Sequence, residues 1–164
     1  MTEIFRAGSQ LIKVKAMIAF SGLCAAGAFY WGWDLFNTYG IRPADGGALA
    51  PLGVRLAWGL GVAGLGLAFF AGMWVYGRLY ATRIDHHRTT DRLHVRTLEF
   101  FASREHVYRA GDVEGSTYHT GENVRGVDAP WFTLRIRGRR MPLIVDARGR
   151  FPDRELARRL LKME

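Results

Sequence analysis

The 164-residue chain has a single cysteine, Cys24. No intrachain disulfide can form, and no Cys-x-x-Cys or Cys-x-x-x-Cys pair is present to hold zinc or copper. The chain also lacks an internal repeat and a low-complexity segment. Serine is scarce: Ser9, Ser21, Ser103 and Ser116 are the full set, and none lies in a nucleophile-elbow context. Five histidines occur, at 86, 87, 94, 106 and 119, but no pair has the H-E-x-x-H spacing of a helical metal site. They are read as surface or interfacial groups, and Cys24 as a packing residue. No catalytic, cofactor-binding or metal residues are expected, and the protein is expected not to be an enzyme.

The most informative lack is of charge. Residues 56–77 form a run of 22 without one charged side chain, bracketed by Arg55 and Arg78. As a helix this run is about 33 Å long, enough for a hydrocarbon core of about 30 Å. A soluble core helix of this length would carry a polar stripe, and this one has none. A second apolar run covers residues 16–33, between Lys15 and Asp34, and extends toward Phe36. Its basic flank resembles a signal peptide. The run, however, continues into the Trp-rich residues 29–33, which favours a span.

Loop charge then orients the pair. Arg6, Lys13 and Lys15 precede the first run, the link from 34 to 53 is poor in cations, and arginines crowd the chain after Arg78. The positive-inside rule places both termini on the cytoplasmic or matrix side. Trp31 and Trp33 are assigned to one aromatic belt, and Trp74, Tyr76 and Tyr80 to the other.

Gly59, Gly61 and Gly64 match G-x-G-x-x-G. The dinucleotide fingerprint needs a preceding strand, and an unbroken span supplies none. A face of small residues is the better account. Gly64, Ala68 and Gly72 recur every four positions, and the first run offers Ser21, Gly22, Ala25 and Ala26. Such faces let helix backbones approach closely in lipid. Gly64, Ala68, Gly72, Gly22 and Ala26 are therefore candidate helix-packing residues, within the hairpin or against a partner's helix.

What is abundant is positive charge. The net formal charge is +8, which favours an anionic partner. From Arg78 onward there are eighteen basic and twelve acidic residues. Arg78, Arg83 and Arg88 are candidates for contact with lipid headgroups, where each basic residue gains about 1 kcal/mol from an anionic leaflet.

Beyond Thr82 the hydrophobic period falls to two. Leu93, Val95 and Thr97 alternate with His94 and Arg96, a strand signal. Phe100 and Phe101 extend it. Further strands are expected near Val107 and Tyr108 and over residues 114–119, followed by a loop over 121–130. Phe132, Leu134 and Ile136 alternate with Thr133, Arg135 and Arg137, giving one apolar and one basic face. Gly138-Arg139 suits a two-residue type II′ turn. Met141, Leu143 and Val145 would line the returning strand. Asp146 and Gly149 frame a type I turn, and Asp153 can cap a final helix bearing Leu156, Ala157, Leu160 and Leu161. Nucleic-acid sheets interleave arginine with exposed aromatics, but Phe132 sits on the apolar face, so RNA or a ribosome is a lesser alternative. The fold class is a membrane protein: residues 1–80 with spans at about 16–36 and 55–78, then an α+β domain over 81–164. The sheet and closing helix are reminiscent of pleckstrin-homology-like domains in architecture.

The segment LRIRGRRMPLIVDARGRFPD resembles the C-terminal part of the transmembrane protein 223 family. That pattern has a strand, Gly-Arg-Arg, an apolar strand ending in Asp, then Gly and Phe-Pro. Here these are Gly138, Arg139, Arg140, Asp146, Gly149, Phe151 and Pro152. The Gly-rich second run leading through Arg78, and the early Phe5, Arg6, Lys13 and Lys15, are also similar. The resemblance implies a mitochondrial inner-membrane protein of cytochrome c oxidase (complex IV) biogenesis. It would be an assembly factor or accessory subunit without catalytic residues or cofactors. Its partners would be oxidase subunits or assembly intermediates, with the mitochondrial ribosome as a further one. Arg139, Arg140, Asp146 and Phe151 become candidate partner contacts. The fifteen residues before the first run, Glu3 among them, do not resemble a cleavable transit peptide. Import through an internal signal is expected, or else a bacterial inner membrane, where the chain would be an anchored lipid- or protein-binding module.

Overall fold

A computed structural model describes residues 1–41, 47–99, 102–121 and 129–163. Two compact units emerge: residues 16–74, and residues 1–15 together with 75–164.

The first unit holds most of two long helices, α1 (Gln10–Thr38) and α2 (Leu52–Leu79). Neither contains proline, and Pro51 stands at the head of α2, where its missing N–H costs nothing. Both are long and apolar enough to cross a membrane, and their apolar side chains are largely exposed. Buried in water these surfaces would pack inward; facing lipid they need not.

The helices meet through small residues. On α1 the positions facing inward are Ile18, Ser21, Ala25, Ala28 and Gly32, at alternating spacings of three and four. On α2 they are Gly59, Ala63 and Gly66. A Cβ built on Gly32 would lie 2.5 Å from the Gly59 carbonyl oxygen, and one on Gly59 would lie 2.8 Å from that of Gly32. A Cβ on Gly66 would strike Ala28. The backbones approach because these side chains are missing.

This seam is not the one the four-residue repeat suggested. Gly64, Ala68 and Gly72 are exposed, and nothing lies within 4 Å of a Cβ at Gly64 or Gly72. On α1 Ser21 and Ala25 are buried, a Cβ on Gly22 would meet the Phe70 ring at 3.6 Å, and Ala26 is exposed. The heptad-like spacing, which keeps one seam facing a neighbour, prevails over the strict repeat of four.

The second unit is a pair of antiparallel sheets. One has the order β1-β2-β3-β4, from β1 (Thr2–Arg6), β2 (Ala81–His87), β3 (Arg92–Glu99) and β4 (Ala102–Arg109). The other has β5 (Val113–His119), β6 (Trp131–Ile136) and β7 (Leu143–Asp146). Helix α3 (Arg154–Leu161) packs against β1 and β5. Isolated bridges join Arg6 of β1 to Arg150 beyond β7, and Tyr80 just before β2 to Ile144 of β7.

Strand β1 precedes α1, and β2 follows α2. They pair directly, with Glu3 opposite Asp85 and Phe5 opposite Ile84. The two ends of the hairpin are thus hydrogen-bonded to each other. The N-terminal strand and the C-terminal domain therefore belong to one unit. Residues 1–15 accordingly group with the domain, which differs from the division expected at residue 80. Ile4 and Phe5 are fully buried in its core beside Tyr80, Ile84, Val95, Leu143 and Leu161.

Alternation predicted several strands well. Leu93, Val95, Leu134, Ile136, Leu143 and Val145 are all buried, while Arg135 and Arg137 are exposed. Asp153 caps α3 by accepting from the Leu156 N–H (2.9 Å). The Gly149 N–H donates to the Asp146 carbonyl (3.0 Å), closing the expected turn. Phe100, Phe101 and most of the expected 121–130 loop lie outside the described residues.

Three expectations are corrected. The β6–β7 turn is not Gly138-Arg139 alone. The Arg139 N–H donates to Ile136 O (3.1 Å), so Gly138 is the third residue of the turn, at φ +80°. That is the left-handed site of a type II turn, and strand pairing resumes only at Leu134–Leu143. Met141 is 51% exposed and does not join Leu143 and Val145 in the core. Tyr80 is no belt residue: it is 1% exposed, inside the domain.

Candidate functional site

The candidate partner-contact residues separate into two groups. Asp146 and Phe151 have partners inside the domain. Asp146 accepts from Tyr80 Oη (3.3 Å) and from the Arg148 N–H (2.8 Å). Burial, foremost, and the Asp146 charge raise the Tyr80 phenol well above its usual pKa. Phe151 packs its ring on Phe5, centroids 5.0 Å apart.

Arg139 and Arg140 do something else. They rise from the β6–β7 turn and line a cavity of 550 Å³, within the range usual for ligand sites. The last turn of α2 contributes Val75, Arg78 and Leu79. Strands β3 and β4 contribute Thr97 and Glu99, and Arg104, His106 and Tyr108. The register sets the strand residues on one face: Thr97 stands opposite Arg104, and positions two apart point the same way.

The pocket is strongly basic. Arg78 lies 3.7 Å from Glu99, and Arg104 lies 3.5 Å from the same carboxylate oxygen. Arg139 is fixed in place: its Nη1 donates to Tyr108 Oη (2.7 Å) and its Nε to Met141 O (3.1 Å). Arg140 is exposed and makes no ion pair among the described residues. His106 has its pKa lowered, first by burial and then by Arg139 and Arg104.

The three candidate membrane-surface arginines part company. Only Arg78 joins this pocket. Arg83 is bound to Asp85 (2.7 Å) and Glu3 (3.2 Å). Arg88 follows the far end of β2, in a cleft with Asp153 and Glu155. Arg104, His106 and Glu99 had no place among the predicted site residues. The alternation of Arg104, His106 and Tyr108 hinted at a shared face, but only the register with β3 shows what they face.

The other histidines have local partners. His86 is buried and lies 2.9 Å from Asp91, and His94 lies 2.5 Å from Glu105. The His94 hydrogen bond holds the Glu105 carboxyl below its ordinary pKa. No three His, Cys, Asp or Glu side chains converge as a metal site among the described residues.

No curated protein matches this chain. The family model of the TMEM70/TMEM186/TMEM223 protein family matches residues 13–161, spanning both long helices and the domain after them. The chain belongs to that family, and with its two apolar helices it is a transmembrane protein.

Proposed function

We propose that this member of the TMEM70/TMEM186/TMEM223 family is a non-enzymatic assembly factor or accessory subunit of cytochrome c oxidase. It resides in the mitochondrial inner membrane with both termini in the matrix, and it works by contact. Membership across the hairpin and the domain carries the reading. The pairing of β1 with β2 supports it mechanically, since a domain tied to both ends of a hairpin can hold a membrane client and its soluble parts together. The exposed face of Gly64, Ala68 and Gly72 supplies a surface for a client helix. The Arg139–Arg140 turn supplies one for the client's soluble parts or the ribosome. The count of four plus three strands with a closing helix favours a pleckstrin-homology-like domain.

Affinity purification in mild detergent, read by mass spectrometry, is the test. Oxidase subunits should co-purify, and deletion should lower assembled oxidase. Normal oxidase without the protein would sink the assembly role. Tags on either terminus should resist protease added from the intermembrane side; digestion of the C-terminal tag would refute the orientation. The basic pocket favours a second reading, a lipid-binding module anchored in a bacterial inner membrane.

A further inference from the structure

We propose that the 550 Å³ cavity between the end of α2, the β3–β4 sheet face and the β6–β7 turn binds the phosphate of an anionic phospholipid headgroup. Four guanidinium groups, of Arg78, Arg104, Arg139 and Arg140, line it against one carboxylate, Glu99. Arginine presents planar donor pairs that match phosphate oxygens. Arg139 is already held by Tyr108 and Met141, so little ordering remains to be done when a ligand arrives.

Position selects a lipid over a soluble phosphate. Arg78 is the first charge after the 22-residue uncharged run of α2, which places it at headgroup depth. Val75, one turn earlier, also lines the cavity and is 40% exposed, and Met141 is 51% exposed. An apolar wall continuous with a membrane helix suits the glycerol and upper acyl chain, while the arginines take the phosphate. Glu99 pairs with both Arg78 and Arg104. A bound phosphate would compete with it for both. Burial first, and then the charges of Arg139 and Arg104, lower the pKa of His106 on the same wall.

The inference does not depend on complex IV as the client. It is tested on the full chain in mild neutral detergent, by native mass spectrometry with added phosphatidylglycerol or phosphatidylcholine of matched acyl chains. Phosphatidylglycerol should be retained preferentially, and less so at high salt. Arg104→Gln and Arg140→Gln should each cut its retention about fivefold, the factor equivalent to about 1 kcal/mol per basic residue at an anionic surface. Arg135→Gln/Arg137→Gln, on the exposed face of β6, should leave it unchanged. Glu99→Gln should raise retention, which a merely destabilised protein would not do. Equal retention of the two lipids overturns the proposal, as does an equal loss in the Arg135/Arg137 control. Displacement by equimolar inorganic phosphate would make the ligand soluble. Binding of an acidic peptide with no lipid preference would make the pocket a protein-docking site.

Discussion

The ring of Phe5 lies directly against the Cα of Gly149, leaving no room for a side chain there. A Cβ on Gly149 would collide with Phe5 Cε2 and lie 2.8 Å from Cζ. Phe5 belongs to the strand before the first helix, and Gly149 to the turn that leads toward the last. Their contact, together with the Arg6–Arg150 bridge, fastens β1 to the turn between β7 and α3.

Gly149→Ala should therefore destabilise the domain by about 1–3 kcal/mol, the usual cost of overpacking. Phe5→Ala should cost about 3–5 kcal/mol through the cavity it leaves. In the double variant the alanine methyl occupies part of that cavity, so the total should be less than the sum. Thermal unfolding of the full chain in detergent measures all three. Strict additivity would show that the ring does not rest on Gly149.

The hairpin should respond to its true seam. Gly59→Leu or Gly66→Leu should lower the unfolding temperature of the detergent-solubilised protein by several degrees, because the backbones must part. Gly64→Leu or Gly72→Leu should leave it nearly unchanged, since open space surrounds both. The reverse ranking would refute the seam.

Tyr80→Phe should cost about 1 kcal/mol, the net worth of one hydrogen bond, with Asp146 losing a partner. Because the phenol's pKa is raised, its ionisation is suppressed in the folded state. Ultraviolet titration should find Tyr80 protonated at pH values where exposed tyrosines ionise. Ionisation of Tyr80 alongside them would argue against its burial.

His106 binds its proton more weakly in the folded protein than in the unfolded chain, where its ordinary value is 6.5. Its contribution to stability is intact above pH 6.5. It is lost as pH falls from 6.5 through the lower folded value, because only the unfolded chain gains the proton readily. His106→Gln should flatten that part of the stability–pH curve. A profile unchanged by the substitution would remove His106 from the pocket's electrostatics.

The elements carrying a strong period were legible. Residues 56–77 announced a span, the Phe132–Ile136 alternation announced β6, and Asp153 announced a helix cap. The N-terminal strand was not. Its five residues read only as a basic flank, and a short strand has no signal until its partner is known; that partner lies some eighty residues away, at Ala81–His87. Half of the candidate site was legible too. Arg78, Arg139 and Arg140 were picked out, but for different roles. Nothing local marks Arg104 and His106 on the edge strand β4, or Glu99 at the end of β3, as facing a helix end.

Sequence alone determined that this chain crosses a membrane, because a long uncharged run can satisfy its backbone only as a helix in lipid. It also determined that the strands after it have one wet face and one dry face, because the side-chain period of a strand is two. Tertiary structure decided which glycines form the hairpin seam, since that depends on how two helices cross. It decided that residues 2–6 complete the sheet, and that arginines from three distant segments line one pocket. Those are long-range pairings, and no local pattern encodes which distant segment a strand or turn will meet.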